Sequence, residues 1–188
     1  SVIARLEDPG ADLWESIEPG VLTIVDLSSR WLRRQDVFPL AAALLNVLCD
    51  HSPRHGALQR LIAFDEVNRL ARDPALWEHL IMIARQARHQ GLTLWLSGQD
   101  LLTVPDELLG LATQVLCFRV NSPLIFQDVR RRVAGYGAVT FHDVSTLRPG
   151  EVWWVAQEST DPRWRGQAER VYLRPPTCAH GGHTRAIR

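Results

Sequence analysis

The segment Leu61-Ile62-Ala63-Phe64-Asp65-Glu66 constrains this chain more than any other, because it sets an apolar run directly before two adjacent carboxylates. A short continuous apolar run reads as a buried strand, so both acids fall at its carboxyl end. Nucleoside triphosphatases deliver the groups that handle magnesium and water in this way, and the segment reads as a Walker B strand. Such a strand calls for a GxxxxGK[ST] loop, whose backbone amides and lysine cradle the phosphates. The sequence has no such loop, and all 21 of its basic residues are Arg, without a single Lys. It therefore reads either as part of a larger protein or as a nucleotide-binding fold without its phosphate grip.

Bulk properties narrow the alternatives. A chain of 188 residues with 46% hydrophobic and 22% charged residues is an ordinary globular domain with a sizeable core. Its zero net charge excludes a global basic field, so any DNA contact is local. The longest apolar stretch, Val37 to Cys49, is interrupted by Pro39 and Asn46 and falls short of the roughly 20 residues of a membrane span, so no membrane insertion by this chain is expected. Ser1-Val2-Ile3-Ala4-Arg5 lacks the succession of a signal peptide. The three cysteines, Cys49, Cys117 and Cys178, are too scattered for a disulfide framework, which fits a reducing cytoplasm.

Strands and helices alternate along the chain. Val21 to Asp26 reads as a strand, Val37 to Asp50 as a helix, and Leu61 to Asp65 as the next strand. Between Pro74 and Gln90 the residues Leu76, Leu80, Ala84 and Ala87 recur at helical spacing, with Asp73 as N-cap and Gly91 as stop. Leu92 to Ser97 is a strand, Pro105 to Leu111 a short helix, Gln114 to Val120 a strand and Pro123 to Ala134 a helix. Alternation of this kind predicts an α/β fold with a mostly parallel sheet covered by helices on both faces and ligands at the strand carboxyl ends. Asp26, Asp65, Glu66, Ser97, Gln99 and Arg119 stand at such ends. Past Pro149-Gly150, the runs Glu151 to Ala156 and Arg170 to Leu173 predict an antiparallel hairpin. The Pro-, Gly- and His-rich segment from about 177 to 188 reads as a flexible tail after a single domain over 1–176.

Each chemistry-bearing position has a functional and a plain reading. Asp65 is either a magnesium-holding carboxylate or a helix cap, and Glu66 either a base for water or a solvated acid. Gln99, just past a strand, senses a γ-phosphate or turns the chain. Arg85 and Arg88 lie three apart and project to one side of a helix end, as an arginine finger or as cations that suit the helix dipole. The run Arg130-Arg131-Arg132 either meets phosphate or forms a solvated helix face. Cys178, His180 and His183 are spaced loosely like metal ligands, a weak case without an ordered scaffold. An unrelated doubly wound hydrolase using Asp26 and Asp65 ranks last, for want of a paired nucleophile and base.

Taken together, Thr23-Ile24-Val25-Asp26-Leu27-Ser28, Leu61 to Leu70, Ala84-Arg85-Gln86-Ala87-Arg88-His89-Gln90-Gly91 and Leu94-Trp95-Leu96-Ser97-Gly98-Gln99 resemble the HerA/FtsK superfamily of DNA-pumping ATPases in letters, order and spacing. Val115 to Val120 resembles that family's next strand, and Leu147-Arg148-Pro149-Gly150-Glu151 its late turn. The Arg-His-Gln-Gly turn and the Pro-Gly-Glu hairpin are most similar to HerA-like and conjugative type IV secretion ATPases. The resemblance, over about residues 20 to 176, implies a RecA-like P-loop core, ATP and Mg as cofactors, and hexameric rings that move DNA or nucleoprotein. It implies magnesium placement by Asp65, the base role for Glu66, phosphate sensing by Gln99, and the finger for Arg88 ahead of Arg85. It also implies a cytoplasmic protein, held at the inner face of the membrane where secretion or conjugation partners or upstream segments anchor it. Val67-Asn68 departs from the Ala-His that often follows Asp-Glu in the family. The expected P-loop precedes the first strand, so the sequence reads as the C-terminal portion of a motor ATPase, inactive alone. The alternative is a degenerate, non-hydrolysing structural or regulatory subunit of such an assembly.

Overall fold

The computed structural model describes residues 20, 22–25, 34–50, 60–70, 74–87, 89–99 and 101–174, and the chain divides into two compact units, Ser1–Ser97 and Gly98–Arg188. In the first, helix α1 (Arg34–Asp50) precedes strand β1 (Arg60–Phe64), a 3₁₀ turn (Val67–Leu70), helix α2 (Pro74–Ala87) and strand β2 (Leu92–Leu96). The strands pair in parallel from Arg60↔Leu92 to Phe64↔Leu96, with α2 as the crossover that a parallel pair requires. Pro74 begins α2, where a missing N–H does no harm, and Leu76, Leu80, Ile83 and Ala87 form its buried stripe. Gly91, at φ 61°, takes the left-handed conformation that turns the chain into β2. Helix α1 packs on α2, and α2 on β2.

Two expectations change in this unit. Residues 22–25 carry no regular secondary structure, and Leu22, Ile24 and Val25 are exposed, because no described strand pairs with them. Among the described residues of this unit, the parallel pair is also packed on one face only. Paired positions share a face, and Leu61, Ala63, Thr93 and Trp95 are all exposed there, Trp95 by 54%. The apolar run was long enough for a strand buried on both sides, but among the described residues only one side is packed.

The second unit holds helix α3 (Asp106–Gly110), strand β3 (Gln114–Cys117), helix α4 (Pro123–Arg132), a 3₁₀ turn (Ala134–Tyr136), helix α5 (Phe141–Ser145) and strands β4 (Glu151–Ala156) and β5 (Ala168–Tyr172). The expected hairpin is present as β4 and β5, antiparallel from Glu151↔Tyr172 to Val155↔Ala168. Strand β3, expected in a parallel sheet, instead pairs antiparallel with β4 from Gln114↔Ala156 to Cys117↔Trp153, giving the order β3-β4-β5. Tyr136 locks that pairing: its buried hydroxyl lies 3.1 Å from the Val115 carbonyl and 2.8 Å from that of Trp153, one on each strand. Phe126, Val129, Val133, Val139, Val144 and Val155 complete the core around it. The fold is thus α/β, with helices, a parallel strand pair and an antiparallel sheet containing the hairpin.

The arginine run at the end of α4 is structural. Arg130 donates to the Gly137 carbonyl at 2.8 Å, and Arg131 pairs with Asp128 at 2.9 Å. Arg132 is nearly buried and binds Asp106, Asp128 and the carbonyls of Leu101 and Val104. Two helices and the loop before α3 therefore converge on one guanidinium. Among the described residues no helix is long and apolar enough to cross a membrane.

Candidate functional site

The register of the parallel pair builds the site. Phe64 and Leu96 are partners, so the next residues, Asp65 and Ser97, leave the strand ends side by side. The Ser97 hydroxyl donates to Asp65 Oδ1 at 2.6 Å. The backbone of Ser97 grips the same turn from both sides, its N–H donating to the Phe64 carbonyl at 2.9 Å and its carbonyl accepting from Val67 N–H at 2.8 Å. Sequence reasoning placed Ser97 at a strand end without assigning it this contact. The signal was the parallel register, which makes the first residues past two paired strands neighbours.

Glu66 occupies the apex. At φ 52° it is the one described non-glycine residue in the left-handed region, a conformation that costs an L-residue roughly 1–2 kcal/mol. Its amide donates to Asp65 Oδ1 at 3.1 Å and lies 3.4 Å from Ser97 Oγ, contacts that offset the strain. The sharp turn also sends Val67 into the core, fully buried. Adjacent residues in a continuing strand would point to opposite faces, whereas here the turn re-aims Glu66 at the strand end.

Asp65 therefore has one carboxylate oxygen committed to the Ser97 hydroxyl and the Glu66 amide, while Oδ2 makes no hydrogen bond to a described residue. The carboxylate is exposed, oriented and free to accept from a cation-bound water or a ligand. A divalent cation would fit Asp65 as one contributor among several, since no three candidate ligands gather among the described residues. Glu66 is half-buried beside it.

The structure brings together Asp65, Glu66 and Ser97. Arg85 lies exposed on the last turn of α2, and Arg88 lies outside the described residues, as do Asp26, Cys178, His180 and His183. Gln99 is exposed at the beginning of the second unit, in a bend that follows Gly98.

No family model matches the sequence, and no curated protein does so significantly. Solved structures do. The genome packaging NTPase B204 of Sulfolobus turreted icosahedral virus 2 in complex with ATP-gammaS superposes with a TM-score of 0.55 and 18% identity, over 73% of this chain and 62% of that one. Its complex with AMPPCP gives 0.52 and 19%, over 74% and 63%. The DNA-packaging ATPase B204 of Sulfolobus turreted icosahedral virus gives 0.51 and 14%, over 81% and 66%. At these identities the likeness is one of fold, and the chain spans less than two thirds of the length of these proteins.

Proposed function

We infer that this chain forms the C-terminal part of a RecA-like motor ATPase of the HerA/FtsK type, which hydrolyses ATP to translocate DNA or nucleoprotein. The observation that carries the reading is the Asp65-Glu66 turn, two carboxylates at the end of a parallel strand held by Ser97 from the neighbouring strand end. In nucleotide-hydrolysing sites one acid holds the metal and the next orients the attacking water. The likeness in fold to packaging NTPases solved with nucleotide analogues supports the same reading.

Bound Mg²⁺ would supply charge neutralisation at the phosphates, and Asp65 is the residue that would hold it, directly or through water. Glu66, raised on its strained turn, accepts a hydrogen bond and then a proton from the attacking water. Gln99 senses the γ-phosphate, and Arg88 or Arg85 acts as the finger toward a neighbouring subunit in a hexameric ring. The phosphate-cradling loop belongs to a segment upstream of these residues, and secretion or conjugation partners would place the ring at the inner face of the membrane.

The test is a version extended upstream to include that loop, assayed for Mg²⁺-dependent ATP hydrolysis. Glu66→Gln should abolish turnover while leaving nucleotide affinity within about twofold. Undiminished hydrolysis in Glu66→Gln would remove the base role. Absence of hydrolysis and of nucleotide binding in the extended protein would favour a non-hydrolysing structural subunit.

A further inference from the structure

The register Cys117↔Trp153 brings the chain leaving β3 alongside the chain entering β4. Between them Phe118, Arg119 and the turn Leu147-Arg148-Pro149-Gly150-Glu151 line a cavity of about 280 Å³ in the second unit. Gly150 adopts φ 86° and carries the Tyr172 ring so closely that a Cβ there would sit 3.0 Å from it. The turn shape is therefore specific to glycine.

The charges around this cavity are unequal. Glu151 accepts from the Arg148 amide at 2.6 Å and from the Arg170 guanidinium at 2.7 Å, which together hold its carboxyl below the ordinary 4.5. Its charge is thus matched within the fold. The side chains of Arg119 and Arg148 are exposed, and neither makes a hydrogen bond or ion pair with a described residue. The Arg148 side chain acts on the Glu151 carboxylate through space alone, so two guanidiniums without a direct polar partner among the described residues line the cavity. Beside them the Phe118 ring is 53% exposed, and Leu147 and Pro149 add apolar lining.

Two guanidiniums select an anion with several oxygens, and a flat apolar ring selects a planar partner. Their combination in one small cavity is the chemistry of a base attached to a phosphate. The volume lies just below the roughly 300–1,000 Å³ typical of small-ligand pockets and is on the scale of a single nucleotide. We propose that Phe118, Arg119 and Arg148 form a nucleoside phosphate site, the ring stacking on the base and the guanidiniums binding the phosphate. The residues of this site all belong to the second unit. A free nucleotide and one unit of a single strand present the same chemistry.

The experiment is a titration of this chain with AMP, with a ten-residue oligothymidylate and with inorganic phosphate, followed by backbone amide chemical shifts. Nucleotide-induced shifts centred on residues 118–119 and 147–151 are expected, with Arg119→Gln/Arg148→Gln and Phe118→Ala each weakening binding by about tenfold or more. Those positions are exposed, and the dispersion of the remaining amide signals shows whether each variant is folded. Oligothymidylate binding at least tenfold tighter than AMP, and weakening steeply with salt, identifies a strand as the source. Equal affinities identify a free nucleotide. The proposal is overturned if neither probe shifts these residues at millimolar concentration, if the double Arg variant binds unchanged, or if phosphate alone binds as tightly as the nucleotide and Phe118→Ala has no effect. None of these outcomes depends on whether Glu66→Gln hydrolyses ATP.

Discussion

Replacement of Arg132 by Met should cost the second unit about 3–4 kcal/mol, although the residue sits in a run of three arginines on a helix. Its side chain is only 8% exposed, and its partners Asp106 and Asp128 differ sharply, at 82% and 11%. The exposed Asp106 pair, screened by water, contributes under about 1 kcal/mol. The carbonyls of Leu101 and Val104 would each lose a charged donor, at about 1 kcal/mol apiece after partial rehydration. Asp128 would lose its partner at 3.1 Å and keep only the exposed Arg131, at a further 1–2 kcal/mol. With a urea m-value of about 2 kcal/mol/M, the midpoint should fall by roughly 1.5–2 M at unchanged slope. Circular dichroism during urea titration measures it, and Arg131→Met, exposed, should shift it by less than about 0.3 M. The double variant Arg132→Met/Asp128→Leu should recover part of the loss, because it removes the stranded charge together with its partner. A fall below about 0.5 M for Arg132→Met, or a double variant less stable than the single one, would refute the reasoning.

Three other outcomes follow from particular contacts. Thr140 and Asp143 form a capping box on α5, and the Thr140 hydroxyl and amide hold the Asp143 carboxyl below its ordinary 3.8. A depressed carboxylate stabilises the fold above its unfolded-state value and loses that contribution as pH falls through the folded one, so the stability gap between wild type and Asp143→Asn should close below pH 3.8. A gap that persists undiminished in acid would contradict the box. A Cβ on Gly135 would stand 2.6 Å and 2.8 Å from the two Val155 methyls, so Gly135→Ala should destabilise by about 1–3 kcal/mol in thermal unfolding, and Gly135→Ala/Val155→Ala should lose less than the sum of the singles. In the upstream-extended protein Ser97→Ala should lower kcat about tenfold and raise the Mg²⁺ concentration needed for half activity, while Ser97→Thr restores both. Loss of activity with unchanged Mg²⁺ dependence would indicate a merely structural serine.

How much of this was legible depended on the range of the interactions. Helix α2 and strand β2 announce themselves locally, through the 3.6-residue spacing of Leu76, Leu80 and Ala87 and the stop at Gly91. The hairpin of β4 and β5 was likewise readable from its own residues. Strand β3 was readable as a strand, but its direction depended on β4, more than thirty residues later in sequence, and on Tyr136 bridging both. Alternation of elements favoured a parallel partner, and tertiary pairing overrode it. Residues 22–25 show the converse, since β-branched composition alone makes no strand, and no described strand pairs with them. Arg132 misled for the same reason: three consecutive cations resemble a solvated face, and only the fold of residues 101–106 around the third one buries it.

The carboxylate turn combines both kinds of information. Asp65 and Glu66 were evident from the strand that precedes them, while the strain at Glu66 and its anchoring by Ser97 follow from the register Phe64↔Leu96. Glycine or asparagine would take φ 52° with less strain than the glutamate found there. Here the side chain is kept half-buried at the apex, beside an aspartate whose one oxygen is immobilised and whose other oxygen is open. Fixing the first oxygen removes rotational freedom about the carboxylate, so whatever the second oxygen binds is held with little further loss of entropy. Under the proposed function, in which the turn presents two acids to a cation and a water, such preorganisation lowers the cost of binding both, whereas a turn that only reverses the chain gains nothing from it.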